Sequence, residues 1–500
     1  MQLDDFGERL GGLTSFQIHP SGREAIFAAG SRDFDFDELH RVPLDLSGPA
    51  RILNGLVEPD EKLIDFKIEP ETDRILYRVF PADASQFLTH LYGAPLDLSA
   101  PRVRLDPFET NVLDYRPAAG RVLYRKSTDP SRDRFELFSV PPDGSSAPQV
   151  LNGPLSANDG RVYAYEVTPD ESRVVYLASQ NFPNRAELFS VPTDGSGGPT
   201  QLSPTPVPNG EVWRGQFRIT PDGARVVFAG DLTLNSAVNL WVAPVAGGAP
   251  AQALWTTVAG REVERLEVTS DSTRAVFTAD GLVAGKHQLY AVPVDGSASA
   301  APLPTTPGAP KVYEFLLSPD GTRAVYGAGA LVSVRVDGSA DPIVLSQMLP
   351  SDRHIPWAPQ VTNDWVLYRA DADVRDRYDL FVVPIDGSLT PRRVNQPTSD
   401  RGVSSFAFAG DEVLFLAPTS SEYESWQIFR APLGGGAPPR SLNLPGTFAT
   451  NTFSPRDFLV HPDERRVLFR AQPSTPGGFY PGIGLYLGFL GQPIRGAERP

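Results

Sequence analysis

One short pattern recurs ten times and fills nearly all of this chain's 500 residues. Its clearest copy runs Ile219-Thr-Pro-Asp-Gly-Ala-Arg-Val-Val-Phe228, and variants end at Phe27, Tyr77, Tyr124, Tyr176, Phe277, Tyr326, Tyr368, Phe415 and Phe469. Successive anchor aromatics lie 50, 47, 52, 52, 49, 49, 42, 47 and 54 residues apart. A steady period of this size marks a repeat architecture, in which each unit buries its apolar faces only against its neighbours.

Within one unit, Phe217 and Ile219 are apolar at alternate positions and lead through Thr220-Pro-Asp-Gly223 into Arg225-Val-Val-Phe228. Alternation, a Pro-Asp-Gly turn and a β-branched run predict a hairpin. A polar loop, Leu240-Trp-Val-Ala-Pro244, a Gly247-Gly248 turn and the segment Ala251 to Trp255 complete four antiparallel strands, which is one propeller blade. No stretch sustains a 3.6-residue period, so helices should be nearly absent. In eight units the residue before the turn stands eight positions ahead of the anchor: His19, Glu69, Arg116, Thr168, Thr220, Thr269, Ser318 and His461. Thr362 and Ala409 stand six ahead, which predicts turns shortened by two in those units and leaves the pleat in phase.

The hairpin Ser318-Pro-Asp-Gly-x-Arg-x-x-Tyr326 and the strand Leu289-Tyr-x-Val-Pro-x-Asp-Gly296 resemble the TolB-like, or PD40, class of WD40-like propeller repeats over essentially the whole chain. The resemblance implies a β-propeller. It leaves the function open among periplasmic binding and scaffold proteins, the propeller half of prolyl-oligopeptidase-type enzymes, and some sugar lyases. Ten units without a distinct connector predict an all-β fold: a lead segment over residues 1–14, then one ring of ten four-stranded blades over 15–500. The alternative is two smaller propellers in tandem. The last unit is expected to end in a fourth strand near Gln492-Pro-Ile-Arg495.

A net charge of -15 with no run of Lys or Arg argues against nucleic acid and anionic lipid as partners. Cysteine is absent, which excludes disulfides and thiolate chemistry. The start, MQLDDFGERL, has neither basic nor apolar leader character, so a cytoplasmic protein is expected, or a periplasmic or secreted one if the start has been trimmed. The uncharged stretch Ala471 to Ile494 holds six Gly and four Pro, too many for a spanning helix. No membrane insertion is expected, and a monomer is.

Antiparallel geometry sends the hairpin turns to one face and the loops between second and third strands to the other, where length varies and binding residues gather. That loop spans 12 to 16 residues from anchor to third-strand Leu or Ile in nine units, but only five from Tyr326 to Leu331. The notch so predicted adjoins Asp352, Arg353, His354 and Trp357, with Asp371, Asp373, Arg375 and Asp376 in the next unit's loop. Asp352, Arg353, His354, Trp357, Asp371 and Asp373 are therefore the ligand-binding candidates, beside the simpler reading of a solvated rim with a packing Trp. Asp33, Asp35 and Asp37 have a calcium-loop-like spacing but lack the Gly and final Glu of such a loop. His19 and His461 take equivalent turn positions and would be neighbours in a closed ring. With no nucleotide or metal-ligand motif and no Gly-x-Ser-x-Gly elbow, no cofactor or metal is expected.

The leading expectation is a non-catalytic binding or scaffold propeller that recognises a protein, peptide or glycan on its long-loop face or at its channel mouth. The alternative is a propeller-type lyase or hydrolase acting on a polar or anionic substrate, with His354 as general base and Arg353 neutralising the anion. Polar residues alternate with apolar ones along the innermost strands: Asp65, Lys67, Asp114, Glu166, Gln216, Arg218, Arg265, Glu267, Glu314 and Asp457. Period two puts them on one side of the strand, so they are candidates to line a water-filled channel. Ordinary ion pairs between blades are the alternative for them.

Overall fold

The computed structural model describes residues 10–31, 37–53, 55–58, 61–81, 88–107, 111–129, 134–157, 160–280, 287–306, 311–347, 349–350, 352–396, 402–418, 426–442, 458–471 and 484–490. It is all-β, a single propeller of ten radial antiparallel sheets numbered here in chain order. Nine sheets show four strands and the tenth shows three; the segment expected to supply its fourth, at 492–495, lies outside the described residues. The first strand begins at Leu10, so residues 10–14 belong to blade one rather than to a lead segment.

Each anchor aromatic sits mid-blade on the second strand and is at most 4% exposed. In seven blades it stacks on the Phe or Tyr directly across on the third strand, as in Tyr124 on Phe138 (5.2 Å, 13°) and Tyr176 on Phe189 (5.5 Å, 20°). Phe228 faces Trp241, while Tyr326 in blade seven faces Val332. Such ring pairs contribute about 0.5–1.5 kcal/mol beyond their buried area. The apolar clusters straddle neighbouring blades: Leu123 and Leu137 of blade three pack with Val174, Tyr176 and Phe189 of blade four.

The hairpin turns form their own ring. Asp222 N–H of blade five donates to Ser272 Oγ of blade six (3.0 Å), and Asp320 N–H of blade seven donates to Asn363 Oδ1 of blade eight (2.8 Å). The ring of turns closes through side chains of the last blade: His461 Nε2 lies 2.8 Å from Gly22 O, and Arg466 Nη1 donates to Leu44 O at 3.2 Å. Leu468, Leu485 and Leu487 of the last blade pack on Phe16, Phe27 and Val42 of the first. Gly22 has φ +67°, which Glu171, Ser272 and Glu464 also adopt at the same turn position, but a Cβ there would fall 2.8 Å from the His461 ring, so the close approach is what favours glycine at the closure. His461 is thus a closure residue, and His19 meets Asp73 of blade two at 3.2 Å instead of meeting His461.

The turns of blades eight and nine are shortened, with Val361 opposite Val366 and Ala409 opposite Glu412. Blade three joins them, against the sequence register. Its first strand runs on to Ala118, which pairs with Arg121 across a two-residue Ala119-Gly120 turn, both residues at positive φ. Arg116 is therefore a strand residue and Ala118 is the one that precedes the turn. The Arg that recurs after the turn is structural. Arg121, Arg173 and Arg323 each donate to a buried third-strand serine, Ser139, Ser190 and Ser333, at 2.6, 2.8 and 3.0 Å.

Blade one departs from the aromatic ladder with His40, fully buried and stacked on Phe27 at 5.0 Å and 9°. Burial lowers its pKa to about 4, despite Glu38 at 3.2 Å. Between pH 6.5 and 4 the unfolded chain binds a proton that the folded chain refuses, so stability falls as pH falls through that window. The full difference is on the order of 3 kcal/mol. His40→Phe, which restores the ladder, is expected to keep its urea midpoint at pH 4.5 closer to its pH 7 value than the parent does. Equal losses in the two proteins would refute this account.

Candidate active site on the loop face of blade eight

The connector that enters blade eight and the loop that leaves its second strand meet on the long-loop face. Asp371, three residues beyond the anchor Tyr368 and fully buried, joins them: its Oδ1 accepts the His354 N–H (2.6 Å) and its Oδ2 the Asp376 N–H (3.2 Å). The device repeats. Asp231 and Asp280, at the same place in blades five and six, accept the N–H groups of Glu211 and Glu262 at 2.8 and 3.0 Å.

Asp371 therefore fixes the backbone from which the His354 side chain projects, and its Oδ2 also lies 3.7 Å from His354 Nδ1. The other ring nitrogen, Nε2, is 2.5 Å from the Tyr378 hydroxyl, and the two rings meet edge to face at 5.2 Å. Partial burial raises the Tyr378 pKa, and Asp371 and Asp376 push it further in the same direction. The phenol thus stays protonated at neutral pH, and in the Nδ1–H tautomer, which turns that proton toward Asp371, it donates to His354 Nε2. The His354 side chain is 57% exposed, so its base-forming nitrogen is open to solvent apart from that one hydroxyl.

The other candidates from the sequence are placed differently. Arg353 turns inward: its side chain is 20% exposed and its Nη1 donates to the carbonyl oxygens of Asp371 and Ala372 at 3.0 and 3.2 Å. Asp373 is engaged by Arg377 and Arg393. Asp352 stays out on the rim, 57% exposed and 4.0 Å from Arg353. Trp357 packs over Gly327, filling the notch left by blade seven's short loop. Behind His354 lies an apolar recess of about 10 Å³ between Leu349, Ile355, Tyr368 and Phe381, room for at most one water. The shortened turn of blade eight leaves a larger cleft, about 460 Å³, on the opposite face between Arg323, Trp365 and Asp386. Asp33 and Asp35 lie outside the described residues, as do Asp457 and the side chain of Asp37.

The innermost strands carry their charges in pairs. Within blades, Arg78 bonds Asp65 (2.5 Å) and Arg125 bonds Asp114. Between blades, Arg218 meets Glu166 and Glu267 at 3.9 and 3.3 Å, and Arg265 meets Glu314 at 3.2 Å as well as Glu267 of its own strand. Lys67 Nζ crosses from blade two to donate to Tyr115 O (2.6 Å), while Gln216 Nε2 reaches Glu264 O. Burial raises the Glu166 carboxyl against the pull of Arg218. Arg116, placed by the corrected register, belongs to the same series.

Tyr378 was missed from the sequence because twenty-four residues separate it from His354. Its signal lay in the repeat: it stands ten after its anchor, a position held by Thr89 in blade two, Phe135 in three, Ala186 in four, Val238 in five and His287 in six, on the register of the third strands.

No protein-family model matches the chain, and no curated protein matches it in sequence. Among solved structures it is similar to a prolyl endopeptidase from a study of inter-domain dynamics (10% identity, 78% of this chain and 56% of that one, TM-score 0.38). It is also similar to a puromycin-hydrolysing peptidase of Mycobacterium tuberculosis (13%, 83% and 59%, TM-score 0.35). A third is dipeptidyl peptidase 4 of Porphyromonas gingivalis (11%, 76% and 59%, TM-score 0.48). The chain thus spans less than two thirds of each. All three are named as peptidases, so the expectation of a non-catalytic binding or scaffold propeller is not kept, and the hydrolase alternative stands as a proposal. At these identities and TM-scores the likeness transfers no residue, substrate or partner. Among the described residues no helix is long and apolar enough to cross a membrane.

Proposed function

We propose that the chain is a hydrolase of ester or amide bonds in a polar substrate, with its chemistry at His354 and Tyr378. The observation that carries this reading is the run from buried Asp371 through His354 to the Tyr378 hydroxyl, with Nε2 facing solvent. His354 Nε2 takes a proton from a water whose oxygen bonds to the substrate carbonyl carbon. The carbon–heteroatom bond then breaks, and the imidazolium returns its proton to the leaving group. Tyr378, released from Nε2 as water enters, donates its hydrogen bond to the carbonyl oxygen as charge develops there. Asp371 is a positioning residue. The role first given to Arg353 has no place in this arrangement.

The test is turnover of p-nitrophenyl esters and peptidyl p-nitroanilides by the full chain. His354→Gln is expected to lower kcat/KM about 10²–10⁴-fold, and Tyr378→Phe to lower kcat with little change in KM. Absence of turnover on every substrate, or equal turnover in His354→Gln, would sink the reading.

The TolB-like, or PD40, character of the repeats belongs with this proposal, supported by the hairpin and third-strand motifs of each blade. So does a water-filled channel along the innermost strands: the side chains of Arg218, Arg265, Glu267 and Glu314 keep 27–49% exposure, more than a dry axis would leave them.

A further inference from the structure

Blade six holds a second set of reactive side chains at the very repeat positions that carry His354 and Tyr378 in blade eight. Glu262, whose N–H is held by Asp280, corresponds to His354; His287, ten residues beyond the anchor Phe277, corresponds to Tyr378. The strand registers give the corresponding pairs as Lys62 and Thr89 in blade two, Asn111 and Phe135 in three, Arg161 and Ala186 in four, and Glu211 and Val238 in five. Of blades two to six and eight, only six and eight place titratable groups at both positions.

In blade six a third group joins them. Glu262 stands just before the first strand and Glu264 at the irregularity between Val263 and Arg265, with Val263 between them buried in the core. One oxygen from each and one ring nitrogen of His287 all lie within 4.8 Å of one another. His287 is only 6% exposed, and its Nδ1 is a buried atom without a hydrogen-bond partner, 3.5 Å from Glu264 Oε2. A buried imidazole nitrogen left without a bond costs about 1–3 kcal/mol unless something binds it. Two carboxylates face one another across it; Lys311 offsets part of their charge at Glu264, but an ammonium cannot bond the imidazole nitrogen as a metal ion can.

We propose that Glu262, Glu264 and His287 form a site for a divalent first-row cation, Mn²⁺ or Zn²⁺, on the loop face of blade six. The donor set selects the ion. Ca²⁺ takes six to eight oxygens and Mg²⁺ an octahedron of oxygens, mostly water, so neither has use for the buried nitrogen. One imidazole and two carboxylates suit Mn²⁺ and Zn²⁺, with water completing the shell. A competing group, His19, Glu24 and Asp73, has similar spacing, but Arg41 stands 3.6 Å from Glu24 and Asp73 is 62% exposed. There an arginine already supplies the charge.

The test uses the full chain, stripped with chelator and titrated with MnCl₂, followed by the electron paramagnetic resonance of free Mn²⁺, and with ZnCl₂ by calorimetry. One equivalent of either ion is expected to bind. Glu264→Gln and Glu262→Gln, both partly exposed and so tolerant of the change, are each expected to weaken binding at least about tenfold. His287→Gln is expected to abolish it, and Asp73→Asn to leave it unchanged. Far-ultraviolet circular dichroism confirms that each variant is folded. The proposal fails if neither ion binds, if both Glu variants bind as the parent does, or if Asp73→Asn is the variant that loses the metal. Hydrolytic turnover plays no part in the readout, so this outcome is separate from that of the His354 test.

Discussion

Asp106→Asn is expected to cost about 3–5 kcal/mol of stability, because it removes the buried carboxylate that lies 3.0 Å from the Lys126 ammonium. Asp106 and Lys126 are both fully buried, with Lys126 Nζ 3.0 Å from Asp106 Oδ2. Asp106 also accepts the Leu91 N–H with Oδ1 at 2.8 Å. That second role belongs to the repeat: Asn152, Ser203, Ser346 and Asn395 serve Leu137, Leu188, Leu331 and Leu380 in the same way at 2.7–3.1 Å. Asn at 106 keeps the backbone bond and removes only the charge. Lys126 stands two beyond its anchor, where other blades have Ala29, Ala178, Gly230, Ala279, Ala370 and Ala417. Lys126→Met removes the ammonium and keeps the stem, so the double variant is expected to recover most of the loss, the remainder being what Asp106 gives to Arg104 and His90, each at 3.5 Å. Urea midpoints of the four proteins decide it. A loss under about 1 kcal/mol for Asp106→Asn, or a double variant no better than that single, would show that the pair is not coupled.

The same repeat logic separates what could be read from the sequence and what could not. The blades were legible because two-residue alternation, Pro-Asp-Gly turns and buried aromatics recur in step, and each is a local consequence of chain chemistry. The register slipped in blade three because Arg116-Pro-Ala-Ala-Gly120 offers a proline that looks like the usual turn, whereas the positive φ of Ala119 and Gly120 places the turn two residues later. The site was legible only in part. His354 and Asp371 do touch, since the connector and the second-strand loop come together on one face. Arg353 was read as an anion binder because sequence does not show that neighbouring carbonyl groups claim its guanidinium. Tyr378 and His287 stayed hidden because each repeat was read for what it shares. A functional residue in a repeat protein is more visible as a departure at a fixed position, as Tyr378 is where Ala186 and Val238 stand in blades four and five.

Tyr176→Ala is expected to cost about 3–5 kcal/mol, the range for deleting a fully buried aromatic. Its ring lies on Phe189 at 5.5 Å, and its hydroxyl donates to Gln180 Oε1 at 2.8 Å. The same oxygen accepts the Gly153 N–H, so the hydroxyl helps tie the loop of blade four to the connector that enters it. Tyr176→Phe, which keeps the stack and loses the hydroxyl, should cost about 1 kcal/mol. Tyr326→Ala makes the decisive comparison. Tyr326 is as deeply buried, but it faces Val332, and without a ring to stack on, its truncation should cost less by about 0.5–1.5 kcal/mol. The loss at Tyr176 should not stay local. Its cluster includes Leu123 and Leu137 of blade three, so amide exchange is expected to quicken in the second strands of both blades. Equal costs at Tyr176 and Tyr326 would remove the stacking term from the account. Exchange that quickens in blade four alone would show that the blades open one at a time, despite the core they share.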